Sequence, residues 1–142
     1  MNNSHNKIYL FVHIIWSIGK PELSLTKPIR FVLFAYIQKY AAEKGIKMLI
    51  INGVEDHVHC LLQLHPAQNL AQVVKQLRTE SAQWINDSKL IQGSFEWQEE
   101  YAAYSISPSS VKQVVEYISR QEEHHKTKTL ESELDIFEKI QF

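Results

Sequence analysis

The chain has 142 residues, of which 44% are hydrophobic and 22% charged, and its formal net charge is −1. These values predict one domain over residues 1–142, exclude a disordered chain, and argue against a protein that coats duplex DNA with a broad basic surface. The sequence has no apolar run of about 20 residues and no apolar N-terminal signal segment, so we expect a cytoplasmic protein without membrane contact. The single Cys60 excludes an internal disulfide and a thiolate zinc cluster, and any metal must therefore use His, Asp, Glu or Gln.

Strand-like and helical segments alternate in the first half of the chain. Lys7 to Ile18 is rich in aromatic and β-branched residues and predicts a central strand. Thr26 to Lys44 has apolar residues at helical spacing, and Gly45 is placed to end that helix. Lys47 to Asn52 and His57 to Leu64 predict two short strands that pair antiparallel across a turn.

The second half predicts further helices around a less regular segment. Asn69 to Asn86 has one apolar side and predicts a second helix. Phe95 to Gln98 and Ala102 to Ser107 indicate two short strands, or one strand with an irregular entry. A third helix is expected from the Pro-Ser-Ser segment to about His125, and a final short helix from about Leu130 to Ile140.

This order of segments predicts the fold class. Strand, helix, hairpin, helix and strand are typical of an α+β protein with a ferredoxin-like antiparallel sheet and helices packed on one face. The helix that carries Tyr117, in the C-terminal part of the chain, is an addition to that arrangement.

Two histidines in the third strand form a candidate metal site. Side chains on a strand alternate between faces, so His57 and His59 point the same way, whereas Val58 and Cys60 point to the other face. Two converging imidazoles can chelate one divalent ion. The alternative is a surface histidine pair beside a turn.

Tyr117 and Gln121 form a second candidate pair. They lie four residues apart and would be neighbours on one face of the third helix, so both side chains can address one site. The alternatives are a half-buried aromatic residue on an amphipathic helix for Tyr117 and a solvated polar residue for Gln121.

Other polar residues near these motifs receive simpler interpretations. His124 and His125 diverge by about 100° on a helix, and we interpret both as a solvated helix end. His13 in the first strand is interpreted as a hydrogen-bonded core or site-lining residue, and Asp56 as a residue that orients His57.

Taken together, these motifs carry a family resemblance over nearly the whole chain. The carrying segments are HIIWS, GVEDHVHCLLQL, FEWQEEYAAYSIS and VVEYISRQEEHH, in this order. In their order and spacing they resemble the single-tyrosine transposases of the HUH endonuclease superfamily, the TnpA-like proteins of the insertion-sequence 200/605 group and their repeat-associated relatives.

The resemblance implies a role for each candidate residue. His57, His59 and Gln121 would hold Mg²⁺ or Mn²⁺, and Tyr117 would be the nucleophile. Attack of the phenol on a DNA phosphate would give a 5′-phosphotyrosine link and a free 3′-hydroxyl, which allows cleavage and rejoining without ATP. The implied substrate is single-stranded DNA with hairpin ends. Family members commonly work as homodimers, whereas repeat-associated relatives can be monomeric.

Two other functions remain as alternatives to an active transposase. One is a domesticated or inactive relative that binds DNA hairpins without cleavage. The other is a structural α+β protein whose histidines bind metal adventitiously. Intact His57, His59, Tyr117 and Gln121 argue against both alternatives.

Overall fold

The structure of the chain, a computed structural model, describes residues 6–127 and 129–139, apart from the side chains at 125, 127, 136 and 139. The strands and helices are β1 (Leu10–Ile18), α1 (Lys27–Glu43), β2 (Lys47–Gly53), β3 (His57–Leu64), α2 (Leu70–Ser88), β4 (Trp97–Ile106), α3 (Val111–Ser119), α4 (Gln121–Thr127) and α5 (Leu130–Lys139). A 3-10 turn at Pro108–Ser110 leads into α3. Within the described ranges, no helix has both the length and the apolar character needed to cross a membrane.

The four strands form one antiparallel sheet in the order β2-β3-β1-β4. This strand order and the succession of strands and helices are those of a ferredoxin-like α+β fold, so the predicted fold class is confirmed. β1 lies between β3 and β4, which confirms that it is a central strand. It begins at Leu10 rather than Lys7, because residues 7–9 are exposed and do not pair with a neighbouring strand.

One face of the sheet packs against α1 and α2 and forms the main core. Val58, Cys60 and Leu62 of β3 point to this face and are fully buried. They belong to one apolar cluster with buried residues of both helices, namely Leu33, Ile37, Val73, Val74 and Leu77. Each fully buried Leu or Ile stabilises the fold by roughly 1.5–3 kcal/mol, and this cluster contains more buried residues than the cluster on the opposite face.

The opposite face of the sheet carries the C-terminal helices. Leu61 of β3 packs against Val114 and Ile118 of α3 in a second, smaller apolar cluster. Because side chains alternate along β3, His57 and His59 point to this same face. The helix that carries the tyrosine, α3, is therefore an addition on the face that α1 and α2 leave uncovered.

The predicted third helix is broken near its middle. The sequence predicted one helix to about His125, but α3 ends at Ser119 and α4 begins at Gln121. The reason lies on β2, where the side-chain amide of Asn52 donates hydrogen bonds to the carbonyls of Ile118 (3.0 Å) and Ser119 (3.3 Å). In a continuous helix those carbonyls would accept from backbone N–H groups one turn later. A tertiary contact therefore ends α3.

The less regular segment before α3 forms one strand, β4, rather than two. Its pairing with β1 shifts register between Trp16 and Ile18, which confirms the alternative of a single strand with an irregular entry. The final helix, α5, begins at Leu130 as predicted. The predicted end of that helix at Ile140 lies outside the described residues.

Candidate metal centre

The two histidines of β3 lie in the interior of the protein. His57 and His59 are each 0% exposed, so the interpretation as a surface pair is wrong. The hairpin that precedes them is tightly packed, because a Cβ at Gly53 would collide with the backbone carbonyl oxygen of His57. Glycine at this position therefore lets β2 approach the backbone that positions the first imidazole.

Each imidazole is held through its Nδ1 atom. His57 Nδ1 lies 2.7 Å from Asp56 Oδ1, and His59 Nδ1 lies 2.9 Å from His13 Nε2. These contacts leave the Nε2 atoms of His57 and His59 facing the same region. The partner on Nδ1 fixes the ring orientation and the tautomer that presents Nε2 as a metal ligand. Asp56 thus orients His57 as the sequence interpretation expected.

His13 is both a buried residue and a lining residue of this centre. Its side chain is fully buried, and its ring meets the ring of Phe137 edge-on at a centroid distance of 4.6 Å. Burial lowers the pKa of His13 to about 4, against an opposing effect of Glu133. His13 is therefore neutral at physiological pH and can accept a hydrogen bond from His59 through Nε2.

Glu133 of α5 lies at the middle of the centre, and the sequence interpretation did not include it. One carboxylate oxygen lies 3.2 Å from His57 Nε2, and the other lies 3.4 Å from His59 Nε2. Ligand atoms of these three residues all lie within 4.8 Å of one another, and all three side chains are buried. The three residues can together hold a metal ion.

One sequence signal could have revealed Glu133. Leu130, Leu134 and Phe137 follow helical spacing and form the apolar side of the final helix, and position 133 falls on that same side. A carboxylate on the inward side of an amphipathic helix is costly to bury unless it has charged or hydrogen-bonding partners. That mismatch indicates a polar site beneath the helix.

Tyr117 and Gln121 reach the same carboxylate from α3 and α4. The phenol of Tyr117 donates a hydrogen bond to Glu133 Oε2, and the amide Nε2 of Gln121 donates to the same oxygen at 3.3 Å. Gln121 is 0% exposed, so its interpretation as a solvated residue is wrong, whereas Tyr117 is half-buried. The structure therefore brings Tyr117, Gln121 and both histidines together within one chain.

Two buried lone pairs in this centre indicate that the residues fit a cation. Gln121 Oε1 and His59 Nε2 are buried and have no hydrogen-bond partner among the described residues. Buried polar atoms in folded proteins are nearly always paired with protein, water or an ion. Imidazole nitrogen, amide oxygen and carboxylate oxygen are all ligand types that suit a divalent cation.

The two histidines carry different charges in this arrangement. Burial acts to lower the pKa of His57, but hydrogen bonds to Asp56 and Glu133 outweigh it and raise the pKa to about 9. Burial, together with the neighbouring His13 and His57, holds the pKa of His59 well below its usual value. Burial also acts to raise the pKa of Glu133, but the hydrogen bonds from His57 and Tyr117 leave it lowered. Protonated His57 thus pairs with ionised Glu133, and His59 is neutral.

The phenol of Tyr117 is protonated in this conformation. Burial raises the pKa of Tyr117, and the hydrogen bond to Glu133 raises it further, against a smaller opposing effect of Gln121.

The ring of His124 stacks on the Tyr117 ring at a centroid distance of 4.1 Å, so the interpretation of His124 as a solvated helix end is wrong. The side chain of His125 lies outside the described part of the chain.

Comparison with known proteins identifies relatives over most of the chain. The family described as "Transposase IS200 like" matches residues 6–121. ISDra2 transposase TnpA of Deinococcus radiodurans is 25% identical over 127 residues, which span 85% of this chain and 91% of that protein.

Solved structures show the same fold. A crystal structure described as that of a transposase from Deinococcus radiodurans R1 has a TM-score of 0.67 at 23% identity, and the match covers 85% of this chain and 97% of that one. The structure of a REP-associated tyrosine transposase bound to a REP hairpin has a TM-score of 0.59 at 13% identity, over 84% of this chain and 72% of that one. Since the family match runs through the strands, both β3 histidines, Tyr117 and Gln121, the chain belongs to the IS200-like transposase family.

Proposed function

We propose that this transposase cleaves and rejoins single-stranded DNA at insertion-sequence ends by transesterification, with Tyr117 as the nucleophile. His57, His59 and Gln121 would hold the divalent cation, Mg²⁺ or Mn²⁺. The observation that carries the proposal is the convergence of these four side chains, from β3, α3 and α4, on the single carboxylate of Glu133. The family membership supports the same reaction class.

The side chains of the centre have complementary tasks in this reaction. Tyr117 supplies the attacking oxygen, and displacement at phosphorus exchanges one phosphate ester for another, leaving a 5′-phosphotyrosine and a free 3′-hydroxyl. A bound cation would polarise the scissile phosphate and stabilise the charge that develops on it. Because burial and Glu133 raise the pKa of Tyr117, the phenol needs this assistance to react near neutral pH.

His13 and Asp56 act as positioning residues in this proposal. Through the Nδ1 atoms they hold the two imidazoles so that both Nε2 atoms face the site. Such partners typically change metal affinity about 10- to 100-fold when they are removed. The proposed geometry therefore depends on β1 and on the turn before β3 as well as on the ligands.

We propose single-stranded DNA with hairpin ends as the substrate. The solved tyrosine transposase that shares this fold is bound to a REP hairpin, and the near-neutral charge of the present chain favours recognition of a defined structure over general binding to DNA. A homodimer is also part of the proposal and is tested by light scattering during size-exclusion chromatography. Each subunit of such a dimer would carry its own His57, His59, Tyr117 and Gln121.

A denaturing-gel assay tests the proposed reaction. Labelled single-stranded DNA from the flanking element ends is incubated with wild type, Tyr117→Phe or Tyr104→Phe, in Mn²⁺ or in chelator. Tyr104→Phe is a matched control, because Tyr104 lies in β4 and its ring is also near His13. Among the described residues, no hydrogen bond joins Tyr104 to Glu133. We expect a covalent species with wild type and Tyr104→Phe in Mn²⁺ alone. Absence of a Tyr117-dependent species on every cognate strand would overturn the proposal.

A second candidate function is hairpin binding without cleavage. The observation that favours it is the engagement of the Tyr117 phenol by Glu133 beneath α5, which leaves the candidate nucleophile half-buried. Hairpin binding that is equal in wild type and Tyr117→Phe, with no cleavage by either protein, would support this candidate. Metal-dependent cleavage by wild type would exclude it.

A further inference from the structure

Glu133 is an unusual residue in its surroundings. Among the described residues it is the one acidic side chain that is buried, with 0% exposure. An ionised carboxylate is expensive to bury unless its oxygens have charged or hydrogen-bonding partners. Here both oxygens are engaged, by His57 on one side and by Tyr117 and Gln121 on the other. The position is built to hold a negative charge.

Packing of α5 against the sheet sets that position. The ring of Phe137 meets the rings of His13 and Tyr117 edge-on, at centroid distances of 4.6 Å and 5.1 Å. One turn earlier, Leu134 borders a cavity of about 300 Å³ that it shares with Ser17 and other residues of β1 and β4. The family match ends at residue 121, so Glu133 comes from a helix outside the matched segment.

We infer that Glu133 is a fourth protein ligand of the divalent cation, through a carboxylate oxygen, beside His57, His59 and Gln121. This inference rests on the proposed function, because it assumes that the cation binds at the two histidines. Ligand atoms about 2.1 Å from Mg²⁺ lie roughly 3–4 Å from one another. The carboxylate oxygens already lie 3.2 Å and 3.4 Å from the two Nε2 atoms.

Charge supplies an independent reason for a carboxylate ligand. Two neutral imidazoles and one amide would leave both positive charges of the cation uncompensated in a centre where all of these side chains are buried. One carboxylate reduces the net charge of the cation and its ligands to +1 and adds the hard oxygen ligand that Mg²⁺ and Mn²⁺ prefer. The remaining positive charge is available to a DNA phosphate.

The same carboxylate joins the cation to the nucleophile. Glu133 Oε1 faces His57, whereas Oε2 accepts the hydrogen bond from the Tyr117 phenol. A carboxylate can engage two partners at once because each oxygen has two lone pairs. Glu133 therefore holds the Tyr117 oxygen next to the cation site, in addition to its role as a ligand.

Direct metal binding tests the inference without an activity assay. Binding of Mn²⁺ is followed by the loss of the free-ion electron paramagnetic resonance signal, with wild type, Glu133→Gln and Glu131→Gln. Glu131 is an exposed acidic residue of the same helix and serves as a matched control. We expect equal affinity for wild type and Glu131→Gln and an affinity about 10- to 100-fold lower for Glu133→Gln. Equal or tighter binding by Glu133→Gln would overturn the inference.

A measurement on wild type covers the case in which Glu133→Gln does not fold. Difference infrared spectra with and without Mn²⁺ should show a shift of a carboxylate stretching band in wild type and in Glu131→Gln, and a spectrum without such a shift would contradict the inference. Wild-type binding also separates the two proposals. If wild type binds no Mn²⁺, the proposed metal site itself fails, whereas equal binding by wild type and Glu133→Gln removes the fourth ligand alone.

Discussion

Replacing Asn52 by alanine should destabilise the protein and disturb the candidate centre together. The substitution removes the half-buried hydrogen bond to the Ile118 carbonyl and the exposed one to the Ser119 carbonyl, at 3.0 Å and 3.3 Å. A hydrogen bond of this kind contributes about 0.5–1.5 kcal/mol, and the longer, exposed bond belongs at the lower end of that range. We expect a loss of ~1–2 kcal/mol in the free energy of unfolding, measured by urea denaturation and tryptophan fluorescence.

The functional consequence of Asn52→Ala follows from the break between α3 and α4. Without the amide, the carbonyls of Ile118 and Ser119 can accept from the next turn, and a continuous helix would carry Gln121 to a different orientation. Mn²⁺ affinity should therefore fall several-fold. Ser119→Ala is the control, because it removes the exposed hydroxyl bond to Glu116 and leaves the Asn52 bonds intact. If Asn52→Ala changes neither the free energy of unfolding nor the Mn²⁺ affinity, this reasoning is refuted.

Three further predictions concern the centre itself. His13→Phe should lower Mn²⁺ affinity about 10- to 100-fold by leaving His59 Nδ1 without its partner, and His13→Gln should restore part of that affinity, as calorimetry can measure. In chelator, the free energy of unfolding should fall by roughly 3 kcal/mol as pH rises from 6.5 through 9. The reason is that His57, whose pKa is raised, pairs with Glu133 and stabilises the fold only while it is protonated. A free energy that stays constant with pH in urea titrations would exclude the His57–Glu133 ion pair. A mixture of the His59→Ala and Tyr117→Phe variants should form no covalent adduct on a denaturing gel, because the rings of His59 and Tyr117 lie 6.1 Å apart within one chain. Recovery of the adduct in the mixture would show that the tyrosine acts across a dimer.

Local sequence patterns predicted the strands and most helices because the core of this fold follows simple periodicities. Alternation along β3 placed His57 and His59 on one face, opposite Val58 and Cys60, and the sheet confirms that placement. Gly45 ends the first helical segment with a positive φ of 71°, a conformation that glycine adopts without strain.

Features that depend on contacts between distant segments escaped prediction. The end of α3 is set by Asn52, which lies 66 residues before Ile118, so no local pattern on the helix could indicate it. Gln121 likewise is buried and donates its hydrogen bond to Glu133 of α5, a contact that the pattern of its own helix does not indicate. Glu133 was recognisable only as a charge on the apolar side of a helix, and the sequence alone does not show what lies beneath that side.

The alternation of side chains along β3 has a consequence for the evolution of the protein. Val58, Cys60 and Leu62 anchor the main core, whereas His57 and His59 on the other face contribute little apolar contact to it. A conservative substitution that affects only the candidate nucleophile, such as Tyr117→Phe, therefore leaves the packing of the main core intact. A related chain could thus keep this fold, which the apolar face of the sheet stabilises, after the opposite face had lost its candidate site.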